Sequence, residues 1–416
     1  MKTFFALLLL MLISASAADT KSAAAAINAL GVDLYRVQAK GDGNLLLSPY
    51  SIETALAMTY AGADGETRAE MRRTLHFVGD VDALHGGFAG LADDMRKIAS
   101  NSVERVAEAK RYGGFVAPIE FNAANRLFVQ QRFALRAPFL ELVKDRYHAT
   151  PELLDFTKEP AARARINGWV EEQTRNKIRD LIPPRVLDDK TRLVLVNALY
   201  LRAPWAKPFS TNATKKELFH AKGGAAVPVA TMSDLSQCGY AKHPGFQIVT
   251  RPYGGNALQF VILLPDKPDG LRELEQVVTP KLLSDCARLP AREVVLHLPK
   301  FRIEPPTLRL AGALQSLGMK TAFDQPLRSA NFDRMAPRKR DEYLFIGEVV
   351  HKTFLALDEE GTEAAAATEV VMPRPTGIPL EKPKPVQVRV DRPFLFAIQH
   401  VKSGACLFLG RVTDPR

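Results

Sequence analysis

Cysteine is scarce in this chain: three in 416 residues, Cys238, Cys286 and Cys406. Lying far apart, they exclude a disulfide scaffold and a paired-cysteine metal site. Each reads as a small buried apolar side chain, and the odd count leaves at least one thiol free. No apolar run reaches the length of a transmembrane helix, so no membrane span is expected. Internal repeats and Gly/Ser-rich linkers are absent, and the chain reads as one domain in spite of its length. Also missing are G-x-S-x-G, H-E-x-x-H, a Walker A loop and G-x-G-x-x-G. The eight histidines are scattered at 76, 85, 148, 220, 243, 297, 351 and 400. A Ser–His–Asp site needs no fixed spacing, but nothing here points to one. No catalytic residue, metal or cofactor is assigned, and the chain is not read as an enzyme.

What is present is an ordinary globular composition, 46% apolar and 25% charged. A chain of this size buries roughly three quarters of its unfolded surface. Lys and Arg number 56 against 46 Asp and Glu, a net +10. At the start, Lys2 is a positive flank, residues 4–13 are apolar, and Ala15-Ser16-Ala17 are the small residues of a cleavage site. Such an apolar stretch is too short to span a bilayer, so residues 1–18 are expected to be a signal peptide. The mature chain, 19–416, is then a secreted single domain, extracellular or, in a bacterium, periplasmic. Asn212-Ala213-Thr214 is a glycosylation sequon.

Helices are predicted at 27–38, 48–62, 67–77, 81–112, 137–147 and 161–174. The second opens on Ser48 as N-cap with Pro49 in its first turn. Strands are predicted at 127–129, 193–200, 260–264, 294–298, 344–350, 353–357, 394–398 and 406–409. Helices dominate the first half and strands the second, which suggests an α+β chain with large antiparallel or mixed sheets.

Residues 358–368 read Asp-Glu-Glu-Gly-Thr-Glu-Ala-Ala-Ala-Ala-Thr. Alone, this is an Ala-rich helix, Ala being the best helix former. Its surroundings point elsewhere. It follows the strands predicted at 344–357 with no turn signal before Gly361, and it precedes Val370-Val371 and a Pro-rich stretch at 373–385. At strand period, Thr362, Ala364, Ala366 and Thr368 share one face, and Glu363, Ala365 and Ala367 the other. One face thus holds only small uncharged side chains. Such a segment can slide between two strands of a sheet without steric or charge penalty.

Glu359-Glu360-Gly361-Thr362-Glu363-Ala364-Ala365-Ala366-Ala367-Thr368 resembles the hinge of the serpin reactive-centre loop. Further blocks resemble serpins in the same order along nearly the whole mature chain. They include Asn44-Leu45-Leu46-Leu47-Ser48-Pro49-Tyr50-Ser51-Ile52, then Ile166-Asn167-Gly168-Trp169-Val170 with Thr174 and Lys177-Ile178. Leu195-Val196-Asn197-Ala198-Leu199-Tyr200 follows, with Trp205 and Phe209, then Leu298-Pro299-Lys300-Phe301, Leu317-Gly318-Met319 and Val349-Val350-His351-Lys352-Thr353. The last are Asp391-Arg392-Pro393-Phe394-Leu395-Phe396 and Leu407-Phe408-Leu409-Gly410-Arg411.

The resemblance implies three β-sheets, a large central one among them, eight or nine helices, and an exposed reactive-centre loop at about 359–390. It also implies a suicide inhibitor of serine proteases. The protease attacks the loop, forms an acyl-enzyme, and is dragged and distorted as the cut loop enters the main sheet as a new strand. An entering strand gains roughly ten backbone bonds at about 0.5–1.5 kcal/mol each. The total, on the order of 10 kcal/mol, rivals the stability of a domain, so the uncut state is held kinetically. The alternative is a non-inhibitory serpin acting as carrier or chaperone; such members often lack the small-residue hinge.

Counting fourteen residues on from Gly361, as the resemblance suggests, puts the scissile bond at Pro375-Thr376, with Thr376-Gly377 next. The stretch up to Arg392 is longer than usual, so Leu380-Glu381 stays open. Arg374, Lys382 and Lys384 each precede a proline, which blocks trypsin-like cleavage. The expected partner is an elastase-like or subtilisin-like protease tolerating small uncharged residues.

Ser48, Ser51, Asn197 and His351 match the serpin shutter beneath the main sheet. Glu359 and Lys300 match a pair at its top, and Trp205 a core tryptophan. As residues alone they are a cap, satisfied core polar groups, solvated charges and plain packing. Arg96, Lys97, Arg105, Lys110 and Arg111 are interleaved with Asp93, Asp94, Glu104 and Glu108. Arg334, Arg338, Lys339 and Arg340 form a second basic cluster. Both read first as solvated faces and second as weak polyanion sites. Neither has the interleaved aromatics of a nucleic-acid site. A monomer is expected.

Overall fold

The computed structural model describes residues 2–111, 117–221, 223–224, 226–363 and 384–416. Among them are nine α-helices and seventeen strands, an α+β architecture. Eight strands form a large mixed sheet and nine form a second network. The two smaller sheets of the expected three are joined because one long strand, Ala226–His243, serves both. It pairs with Lys215–His220 and Ala291–Pro299 along most of its length, and with Phe246–Pro252 at its end.

The large sheet is built around Leu193–Pro204, in which every residue but Arg202 is buried, as in a strand covered on both faces. Alternate residues serve two cores. Leu193, Leu195 and Leu199 belong to the main core, while Val194, Val196 and Ala198 pack with Ile166 and Trp169 of the helix Glu159–Gln173. The helix Pro49–Gly62, capped by Ser48 through the Ser51 amide, lies beneath this sheet. On one side of the central strand, Glu120–Gln130 runs antiparallel. On the other, Ile346–Thr353 runs parallel, paired from Leu193 to Leu199. Past Phe354 the chain pairs away from the centre: Leu355–Leu357 joins Phe301–Ile303. The two parallel strands therefore part above Leu199 and leave a slot.

The helix Lys2–Gln38 joins the expected leader to the first helix of the domain, and from Ala23 on it feeds the main core. All three cysteines are free and buried. The expected loop boundary near 390 needs correction, since Val386–Arg389 is a strand parallel to Ala291–Pro299. On that side the loop ends before Val386. The hinge residues Ala364, Ala365, Ala366, Ala367 and Thr368, and the cleavage candidates Pro375, Thr376 and Gly377, lie outside the described residues.

Candidate functional site

The slot has an occupant. After Leu357 the chain turns, and Asp358 closes the turn: its amide donates to the Gly361 carbonyl at 3.0 Å and its Oδ1 accepts from the Glu360 amide at 2.9 Å. Gly361–Thr362 then runs back as a two-residue strand, antiparallel to both flanks. Thr362 stands opposite Leu357 on one side and Ala203 on the other, and Gly361 opposite Pro204. Gly361 has a φ of 152°, and a Cβ there would stand 2.1 Å from the Ala203 carbonyl oxygen; only glycine fits. Thr362 is 1% exposed, with its hydroxyl against that of Tyr253. Glu363 points the other way and pairs with Lys177. For the two residues described, this is the alternation that strand period predicts.

The structure brings Glu359 and Lys300 together at the top of the slot. The buried Glu359 carboxylate accepts from Lys300 Nζ at 2.6 Å and from Thr214 Oγ1 at 2.7 Å. Burial pushes its pKa up, but these two bonds outweigh it and hold the carboxyl below its usual range. Trp205 belongs to this end as well. Its indole N–H donates to the Asp358 carbonyl at 3.0 Å, its amide to that of Glu360 at 2.8 Å, and its ring stacks on Tyr253 at 4.7 Å. Glu359→Lys sets two ammonium groups against each other where one pair held the turn. This variant is expected to open the slot and self-associate on mild heating; size-exclusion profiles matching wild type after the same treatment would contradict that.

Lower down, Asn197 and His351 stand opposite each other in the paired part of the two parallel strands. Asn197 Oδ1 accepts from His351 Nδ1, and His351 Nε2 accepts from the Ser48 amide at 3.0 Å. The imidazole is thus neutral and proton-bearing at Nδ1. Ser48 Oγ donates to the Leu407 carbonyl and Ser51 Oγ to Asn125 Oδ1. All four predicted shutter residues therefore meet, and one of their bonds ties together the strands that would part. Asn125 was not singled out from the sequence, although it stands in register with Asn197. Tyr253 was missed as well; only the described fold places it beneath Thr362.

Burial pulls the His351 pKa down to about 3, and those of His85 and His400 to about 4. Unfolded, each binds a proton near pH 6.5. Between these values the unfolded state holds more protons, so stability falls as the pH drops below about 6.5. Calorimetric melting at steps from pH 7 to pH 4 should show a falling Tm; a flat profile would contradict the assignment.

Three of the four residues of the second basic cluster are engaged by their own chain, and of the first cluster Arg96 and Arg105 are. Arg96 pairs with Asp93, Arg334 with Asp64 and Lys339 with Glu342, while Arg338 donates to the Ala330 and Arg328 carbonyls. Among the described residues no group of three or more His, Cys, Asp or Glu could hold a metal ion. No described helix is long and apolar enough to cross a membrane.

Residues 25–415 match the family model described as Serpin (serine protease inhibitor). The chain is 35% identical to the leukocyte elastase inhibitor of Bos taurus over 96% of this chain and 99% of that one. Among solved structures it is similar to Serpin48 of the insect Tenebrio molitor, described as a highly specific serpin, with a TM-score of 0.76 and 33% identity over 95% of this chain and 98% of that one. It is also similar to human thyroxine-binding globulin in complex with its hormone, with a TM-score of 0.78 and 28% identity over 95% and 99%.

Proposed function

Because this chain belongs to the serpin family, we propose that it is a secreted inhibitor of a serine protease that acts by trapping its acyl-enzyme. The observation that supports this most is the seating of Gly361–Thr362 between Leu193–Pro204 and Leu355–Leu357. The first rungs of the entering strand are laid, in the antiparallel sense that insertion needs. Continuing it downward means breaking the ladder of seven pairs from Ile346 to Thr353 and making one ladder on each face of the new strand. Two ladders replace one, so the step runs downhill once the loop is cut. Until then the His351–Asn197 bond and the Ser48 contact hold the strands together.

Hinge residues 359–368 enter first, the shutter residues Ser48, Ser51, Asn197 and His351 yield, and Glu359, Lys300 and Trp205 hold the entrance. Pro375-Thr376 is the preferred bait bond, followed by Thr376-Gly377. The likeness to an elastase inhibitor supports an elastase-like target. Cleavage after residue 18 delivers a monomer, 19–416, outside the cell. Incubation with elastase-, subtilisin-, chymotrypsin- and trypsin-like proteases tests the reading. An SDS-stable complex with one of the first two is expected, and the mass of the released C-terminal peptide identifies the bond. Cleavage by all without a complex would favour a carrier like the thyroxine-binding relative.

A further inference from the structure

The last described residue of the hinge, Glu363, is held by a side chain from outside the sheet. Glu363 has a left-handed φ of 50°, not the extended backbone of a strand residue. Yet its amide already donates to the Ala356 carbonyl at 2.9 Å. This continues the register in which Thr362 faces Leu357. Its carboxylate points to the outer face and is mostly buried, at 14% exposure. There Oε1 meets Lys177 Nζ, while the buried Oε2 has no hydrogen-bond partner. The Tyr200 hydroxyl faces the same carboxylate; burial, then that charge, keeps its proton on. Lys177 comes from the segment after the helix Glu159–Gln173, its amide fixed on the Thr174 carbonyl at 3.0 Å and its ammonium 5.8 Å from the Phe354 ring centre.

We propose that Lys177 is a positioning residue that clasps Glu363, parking the hinge with Gly361 and Thr362 in the slot and Glu363 at the rung where insertion resumes. The inference rests on the inhibitory reading for its consequence, but not for its geometry. Because Glu363 is already in register with Ala356, the strand can go on without breaking the clasp, the backbone at Glu363 swinging from left-handed to extended. Without Lys177, a mostly buried carboxylate loses its counter-charge, and the group escapes by drawing the hinge out of the slot. Insertion then starts from further away, and more of the cut loop is released as product before the protease is caught.

Hydrogen exchange at the Glu363 amide reads the clasp directly and needs no protease. In Lys177→Ala it should speed up by about tenfold, a local opening at unchanged global stability, while Lys177→Arg stays near wild type. The exchanged pair Lys177→Glu with Glu363→Lys should restore protection, which a merely structural lysine would not allow. With an elastase-like enzyme, the fraction of cut chains found in SDS-stable complex should fall in Lys177→Ala and recover in the exchanged pair. Unchanged exchange in Lys177→Ala overturns the clasp. If exchange responds as expected while wild type traps no protease, the clasp stands and the inhibitory reading falls.

Discussion

Thr362→Arg is expected to abolish the SDS-stable complex and leave a loop that proteases cut and release, as gel analysis against an elastase-like enzyme would show. Thr362 is the first inward side chain of the entering strand, 1% exposed, and its hydroxyl meets that of Tyr253, whose ring stacks on Trp205. An arginine there must either bury an unpaired guanidinium, at a cost of several kcal/mol, or keep the hinge out of the slot. Either way the race between insertion and deacylation is lost. A difference of about 3 kcal/mol in the insertion barrier slows it by more than a hundredfold, enough to turn inhibitor into substrate. Retention of wild-type complex yield would sink the insertion mechanism itself.

Glu53→Leu is expected to raise the melting temperature, by about 1–4 °C for a chain of this length if an unpartnered buried polar group costs about 1–3 kcal/mol. Glu53 lies mid-helix in Pro49–Gly62, fully buried, with no hydrogen-bond partner on either carboxylate oxygen. Close by are Tyr147, whose phenol is pushed up by burial and then by this carboxyl, and His85, whose Nδ1 lies 2.5 Å from the Tyr147 hydroxyl. Burial holds the Glu53 pKa well above its usual range. Its folded pKa is thus raised, so the folded state keeps a proton that the unfolded state sheds above about pH 4.5. Wild type loses stability as the pH climbs from there through the folded value. The gain from leucine should accordingly be larger at pH 8 than at pH 5, and equal gains, or a lower Tm, would contradict this account. Because this helix lies under the strands that must part, the stabilised variant should also insert more slowly.

The features legible in the sequence were those with a strong local signature. Ser48-Pro49 announced a capped helix, and the apolar run at 193–200 a strand buried on both faces. The rest was decided by tertiary partners. Only 127–129 of the strand Glu120–Gln130 was foreseen, because the part before Leu127 carries Asn122, Asn125 and Arg126 where apolar alternation would be the signal. The strand Ala226–His243 escaped because much of it is exposed and one side of it changes partner along its length. Glu53 could not be distinguished from a surface carboxylate, since the helix around it is buried on nearly every side. Trp205 and Lys177 were visible as members of recurring blocks, but their roles depend on backbone atoms of 358–363 that no local pattern places beside them.

The pairing of Leu45–Leu47 with Cys406–Val412 has a consequence for biosynthesis. Arg411, whose guanidinium donates to the Gly43 carbonyl, lies 368 residues downstream of it. At about 5–20 residues per second, a ribosome needs roughly 20–70 s to deliver the later strand after the earlier one has emerged. Through that interval Leu45–Leu47 waits without its strand partner, covered only by what the preceding helix supplies.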